Sequence, residues 1–381
     1  MKYCKKCLMP STKPSLRFND SGVCSACQWH ERKSLLYNDT NRRSLSEVVR
    51  SFNSNGSYDC IIPVSGGKDS TYQVWRALQE GLTPLCVTAP TDYLTPLGRK
   101  NIENIKRMPV DHIEVSVNMD VRRKINRYAL THVGDVQWPE HVLIFTIPVH
   151  IAVKFGIPVI LWGENSVREY GAGRPEDEEI GVEFTRDYLE ENCGFNGLRV
   201  SDLSEVLDID KKFLGFYSYP DQEQIDALGL KGLFLDDFFP WNGMTNQLIA
   251  RAYGFKTASE NIVGSLTNYE NLDNYYHGIH DYIKYLKFGF SRSTDIACNW
   301  IRRGLISRKD ALELVELHDG RYPTNYLDKD LAEILSSIGL SQKDFDEICD
   351  EYTNYEIFKV DSFGNLIRRD DGSPELLSKI F

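Results

Sequence analysis

Cys4, Cys7, Cys24 and Cys27 stand as C-x2-C, sixteen intervening residues, C-x2-C. Two such turns aim four thiolates at one point, the closed sulfur shell that zinc favours, with no position left open for catalysis. The same four sulfurs also suit an iron–sulfur cluster. A second constellation, Ser65-Gly66-Gly67-Lys68-Asp69-Ser70, lies between the apolar run YDCIIPV and the helical run TYQVWRALQEG. A strand that ends in a Gly-rich turn and opens a helix offers backbone N–H groups and the positive helix end to an anion. Ser65 and Ser70 add hydroxyl donors, Lys68 adds a cation, and Asp69 supplies a ligand for a magnesium ion bridging phosphate oxygens. The chemistry expected is capture of a polyphosphate.

Positioning these residues requires a sheet. Short unalternated apolar runs (YDCIIPV, TPLCVTA, HIEVSV, PVILW) alternate with helical stretches near 70–80, 97–106 and through Ile151. That is the pattern of a parallel sheet covered by helices on both faces, an α/β doubly wound fold. The apolar stretch from His141 to Gly163, broken by Pro148, His150, Lys154 and Pro158, reads as a buried helix running into a buried strand, not a membrane span. Ligands of such sheets bind beyond the strands' carboxyl ends. Thr88, Ala89 and Pro90 after the second strand then form a wall for an adenine ring, and Glu164 and Asn165 after PVILW face magnesium or substrate. Three units follow from the pattern: a four-cysteine module at 1–45, the sheet domain at 46–240, and a mainly helical region at 241–381. Ser51 to Ser57 reads as a linker and Glu176 to Glu179 as a solvated loop.

The chain has 381 residues, 41% of them hydrophobic, and a formal charge of −11. Such a composition belongs to a folded protein and disfavours one devoted to gripping nucleic acid. Nine cysteines are too sparse for a disulfide-stapled secreted domain, and Met1-Lys2-Tyr3-Cys4 does not resemble a signal segment, so the cytoplasm is the expected compartment. Cys60, Cys86, Cys193, Cys298 and Cys349 read as core residues, and His132, His141 and His150 as core or boundary histidines.

The loop is neither G-x-x-x-x-G-K-[ST] nor G-x-G-x-x-G. It resembles the SGGxDS loop of the N-type ATP pyrophosphatases (the PP-loop superfamily, HUP-like in fold), which cleave ATP between the α and β phosphates to give an adenylated intermediate. CKKCLMP with GVCSAC, SGGKDS, GDVQWPEH at 134–141, LWGEN at 161–165 and HDYIKYLKFGFSRSTD at 280–295 together look like the N-acetyl sugar amidotransferase family (WbpG/PseA type). That resemblance implies conversion of an acetamido group on a nucleotide-activated sugar (UDP- or CMP-linked) to an acetamidino group. The setting would be synthesis of bacterial lipopolysaccharide O-antigen or flagellin glycan. It implies ATP, magnesium and zinc, and release of AMP and pyrophosphate. With no glutaminase cysteine in evidence, it also implies ammonia supplied by glutaminase and barrel subunits resembling imidazole glycerol phosphate synthase.

His280, Lys284 and Lys287, at i, i+4 and i+7, put an imidazole and two ammonium groups on one helix face, with Arg292 just beyond. Spacing alone favours an ordinary exposed basic face. The resemblance implies Lys287 and Arg292 on pyrophosphate or sugar nucleotide, Lys284 on substrate and His280 beside the reacting amide. Lys68, Asp69 and Glu164 complete the implied catalytic set. Two alternatives stand beside this reading: a tRNA-thiolating enzyme, which also combines this loop with paired C-x2-C motifs, and a non-catalytic scaffold, in which a complete phosphate cradle has no use.

Overall fold

The computed structural model describes residues 1–36, 43–52, 56–171, 182–183 and 198–377. The acidic run 176–179, Cys193 and the middle of the expected linker (53–55) lie outside them. Ser51 and Phe52 close helix α2 (Leu45–Phe52) instead of opening a loop.

Strands β1 (Cys60–Pro63), β2 (Pro84–Thr88), β3 (Asp111–Glu114) and β4 (Val159–Trp162) are parallel, in spatial order β3-β2-β1-β4. Beyond β4 lie a parallel strand β6 (Lys231–Phe234) and a short antiparallel edge strand β5 (Val182–Glu183). The chain winds one way from β1 to β3 and then crosses to β4 on the other side of β1. The crevice of such a sheet therefore opens between the carboxyl ends of β1 and β4.

Both faces of β1, β2 and β4 are buried, which is why their apolar residues do not alternate with polar ones, whereas β3 leaves Asp111 and Glu114 exposed. On one face Cys60, Ile62, Cys86, Val159 and Leu161 pack with α2 and with α3 (Lys68–Gln79). On the other, Ile61, Leu85, Val87 and Ile160 pack with α5 (Met119–Val133) and α6 (Trp138–Phe155). Thr95 caps α4 (Pro96–Ile105), its hydroxyl accepting from the Gly98 N–H at 2.8 Å. The apolar stretch divides as expected into α6 and β4, separated by Gly156 at φ 66. No helix among the described residues is long and apolar enough to cross a membrane.

The region after β6 is mainly helical. It contains α10 (Gly243–Ala252), α11 (His277–Phe288), α12 (Arg292–Arg302), α13 (Arg308–His318), α14 (Leu331–Ser336) and α15 (Gln342–Tyr352), numbered after α7 (Ser166–Glu169), α8 (Val200–Val206) and α9 (Gln222–Leu228). The helical spacing of Asp328 to Leu340 is met by α14, which begins at Leu331, three residues later, because a hairpin of Asn325–Tyr326 with Lys329–Asp330 precedes it. The N-terminal segment, with α1 (Ser25–Leu36), lays Cys4, Cys7, Leu8 and Cys27 against Phe290, Ala297 and Val315.

Candidate active site

At the end of β1 the chain must turn sharply into α3. Gly66 has φ +77, and a Cβ there would lie 2.4 Å from the Ile102 backbone nitrogen of α4, so a side chain is excluded by both conformation and space. Gly67 is the N-cap of α3 and supplies no capping side chain, which leaves the first turn without a side-chain acceptor. Ser65 Oγ accepts from the Gly67 N–H at 3.3 Å, and Ser70 Oγ donates to the Gly67 carbonyl at 3.2 Å.

Lys68 is buried, and its ammonium donates to Asp69 at 2.5 Å and Glu270 at 2.7 Å. Burial alone favours the neutral amine, but the two carboxylates outweigh it and hold Lys68 charged above its usual range. Asn246 of α10 donates to Asp69 Oδ1 at 2.8 Å, which fixes that carboxylate at the mouth of the loop.

Two cavities meet there. One, of about 250 Å³, is lined by Ser65, Asp69 and Ser70 of the loop, Ala89 and Pro90 after β2, Trp162 at the end of β4 and Glu164 beyond it. The other, of about 90 Å³, is lined by Lys68, Tyr170, Glu270, Arg292 and Arg303. Asp69, Glu164 and Trp241 line both. Burial, with Glu169, Asp69 and Asp236 nearby, pushes the Glu164 carboxyl up to about 8, so at neutral pH it holds a proton and can donate or, once ionised, accept.

Not every residue anticipated from sequence faces this crevice. Thr88 is buried and its hydroxyl donates to the Val64 carbonyl at 2.8 Å, so it joins strand ends while Ala89 and Pro90 form the wall. Asn165 is buried too. Its side-chain oxygen caps α7 at the Arg168 N–H and its own N–H donates to Asp236, a loop-shaping role in place of the expected substrate contact.

The basic helix separates similarly. Arg292 reaches the smaller cavity, oriented by a two-point pairing with Asp281 at 3.1 and 3.2 Å. Lys284 is paired with Asp295. Lys287 does not reach the crevice: its ammonium donates to the carbonyls of Val133 and Gly134 at the carboxyl end of α5 and lies 4.7 Å from the centre of the Tyr352 ring. His280 Nδ1 meets Asp135 Oδ1 at 3.0 Å, and His141 Nδ1 meets Asp135 Oδ2 at 3.3 Å. The two rings thus share one carboxylate and line neither cavity. The i, i+4, i+7 spacing did bring these groups to one side of α11, but that side faces α5 and α12.

Sequence reasoning missed Glu270, Tyr170, Trp241 and Arg303. Trp241 follows β6, whose run KGLF was too short to be read as a strand, so nothing marked the residues after it as crevice residues. It also missed Lys33 of α1, whose ammonium lies 2.6 Å from both Glu169 and Asp236 among side chains that are nearly inaccessible.

The four cysteine sulfurs are buried and lie within 4.8 Å of one another. Cys4 and Cys27 are 4.0 Å apart and Cys7 and Cys24 3.7 Å apart. A tetrahedral ion with metal–sulfur bonds of about 2.3 Å requires sulfur–sulfur separations of about 3.8 Å. Backbone N–H groups of Lys6 and Cys24 already point at Cys4 Sγ, at 3.4 and 3.3 Å, as donors to a thiolate do. The donor set therefore fits a metal ion.

Residues 263–369 match the family model described as LPS biosynthesis protein WbpG-like, C-terminal domain. That segment carries Glu270, Arg292 and Arg303, the crevice wall opposite the phosphate loop. No curated protein matches the chain in sequence. Among solved structures, NMN synthetase from Francisella tularensis is similar at 13% identity over 62% of this chain and 98% of that one, with a TM-score of 0.27, too loose a likeness to argue from.

Two outcomes follow from these contacts. Lys287→Ala removes a cation from the carboxyl end of α5, so it should lower stability by up to about 2 kcal/mol in urea denaturation and leave ATP affinity unchanged. A tenfold or larger loss of affinity in a folded variant would return Lys287 to the site. The Glu164 carboxyl ionises at 4.5 when unfolded but holds its proton to about 8 when folded. In that window the unfolded chain binds fewer protons, and rising pH favours it. Glu164→Gln should therefore show a shallower fall of Tm from pH 5 to 8 than the parent, and parallel curves would contradict the assignment.

Proposed function

We propose that the chain is an ATP-dependent amidotransferase that converts an acetamido group of a nucleotide-activated sugar to an acetamidino group. Ammonia would come from a separate glutaminase, and the product would serve bacterial lipopolysaccharide or related surface-glycan synthesis. The observation that carries this reading is the loop at Ser65–Ser70, an uncapped helix N-terminus with a buried, charged Lys68, facing Arg292 across a shared crevice. The WbpG-like match over the Arg292 side supports the sugar half of the proposal.

An amide oxygen is a poor leaving group, and transferring it to phosphorus solves that problem. The acetamido oxygen attacks the α-phosphorus of ATP, the bond to the β-phosphate oxygen breaks, and pyrophosphate leaves into the cradle of α3. Lys68 and Arg292 are placed to stabilise the charge that develops on it. Ammonia then adds to the activated carbon and AMP departs with the former amide oxygen, while the surplus proton passes to a base. The ionised form of Glu164, which is populated as the pH nears 8, suits that last role. Asp69 would hold a magnesium ion, which supplies charge neutralisation at the phosphates, and Cys4, Cys7, Cys24 and Cys27 would hold zinc as a structural ion. Adenine would lie against Ala89 and Pro90.

The test is to incubate the chain with ATP, magnesium, ammonium and a panel of UDP- and CMP-linked diacetamido sugars, followed by mass spectrometry. Replacement of one oxygen by NH, with ammonium effective and glutamine alone ineffective, is the expected result. Lys68→Ala should lower the rate by a factor of about 100 or more. No modified sugar across the panel, with thiolated tRNA formed in a parallel assay, would overturn the proposal.

A further inference from the structure

The larger cavity has a wall that the reaction above leaves unused. Glu140, in the first turn of α6, and Asp273, from the WbpG-like segment, both line it beside Ala89, Pro90 and Thr91. The chain around Asp273 is stitched to the stretch that follows β2. The Thr95 N–H donates to the Asp273 carbonyl at 2.8 Å, the Tyr275 N–H donates to the Tyr93 carbonyl at 3.1 Å, and Leu94 forms a bridge with Asn274. Gly98 permits this approach, since a Cβ there would lie 2.6 Å from the Asp273 Cα.

Both carboxyls are aimed by neighbours, and each keeps one oxygen in reserve. His277 spans Gln137 Oε1 at 3.0 Å and Asp273 Oδ1 at 3.2 Å, while Asp273 Oδ2 has no hydrogen-bond partner among the described residues. Glu140 is only 9% exposed. Its Oε2 accepts from the Asp92 N–H at 2.9 Å and from the Asn274 side-chain amide at 2.6 Å, and its Oε1 has no partner among the described residues. Asn274 directly follows Asp273 and so ties the two carboxyls together. Burial, with Asp92 and Asp273 nearby, raises the Glu140 carboxyl above its usual range. With both N–H donors on Oε2, a proton on this carboxyl belongs on Oε1 and can be donated, whereas Asp273 Oδ2 accepts. A hydroxyl does both, and two adjacent hydroxyls match two reserved oxygens. With triphosphate on the Ser65–Ser70 loop and adenine against Ala89 and Pro90, the part of ATP between them is the ribose.

We infer that Glu140 and Asp273 bind the 2′ and 3′ hydroxyls of the ATP ribose, so that the WbpG-like segment reads the sugar of the nucleotide. The inference rests on the reading that ATP occupies this crevice and is independent of which acceptor is adenylated. Both are binding residues, since neither is placed at the reacting atoms.

The experiment uses the full chain with magnesium. ATP, 2′-deoxy-ATP and 3′-deoxy-ATP are titrated calorimetrically into the parent, Asp273→Ala and Glu140→Ala, with circular dichroism reporting that each is folded. The parent should bind ATP about 10- to 100-fold more tightly than at least one deoxy analogue, the worth of one hydrogen bond to a charged group. In Asp273→Ala, ATP should fall to the level of that analogue, whose own affinity should change by less than about threefold. A folded Glu140→Ala should lose the same preference. A parent that binds all three nucleotides equally would overturn the inference while leaving ATP binding intact. Equal weakening of ATP and both analogues by Asp273→Ala, with the preference kept, would mean that Asp273 only shapes the wall and would overturn it too. A parent that binds no ATP would overturn the reading of the crevice, and this inference with it.

Discussion

A lysine ammonium buried between two carboxylates holds the crevice together. Lys33 belongs to the N-terminal segment, Glu169 to the turn after β4, and Asp236 to the turn after β6. Removing Lys33 leaves two buried carboxylates without the cation between them, a cost of several kcal/mol, whereas the intact trio contributes little net stability over an apolar substitute. Its value is geometric. It locks the cysteine-bearing segment over the ends of two strands, and the carboxylates it gathers are among those that keep Glu164 protonated. Asp236 itself is pushed up to about 6, chiefly by burial.

The same economy recurs at the loop. Lys68 draws Asp69 and Glu270 together, so the sheet and the WbpG-like segment meet at one cation. Arg292 is aimed by Asp281 and Arg303 lies 3.6 Å from Glu169. Under the proposed function, a protein of net charge −11 must bind anions without relying on its average field. Each cation at the crevice is instead held by carboxylates, and an arriving polyphosphate competes with them for it. The cations are charged and placed in advance, and what binding must reorganise is their pairing with these carboxylates.

Much of this was legible in the chain. Strand–loop–helix order around Ser65–Ser70 and the paired C-x2-C turns depend on local geometry, and local geometry is written in local sequence. So were the buried strands β1, β2 and β4, whose faces are both apolar. What escaped detection was non-local. The spacing of His280, Lys284 and Lys287 showed that they share a side of α11 but could not show that α5 presents its carboxyl end to Lys287 or that Asp135 claims His280. Asn165 looked like a crevice residue by position, yet a helix of one turn needed its oxygen as a cap. Lys33 carried no signal, because its two partners lie 136 and 203 residues away.

The measurement that bears most directly on this account is calorimetric titration of ATP into the folded Lys33→Met variant beside the parent chain. Lys33 lines neither cavity, so a direct-contact view gives it no part in binding. If the buried trio assembles the crevice, the variant should bind ATP at least about tenfold more weakly while circular dichroism shows its sheet intact. Equal ATP affinity in a folded Lys33→Met chain would contradict the claim that the site depends on this interaction.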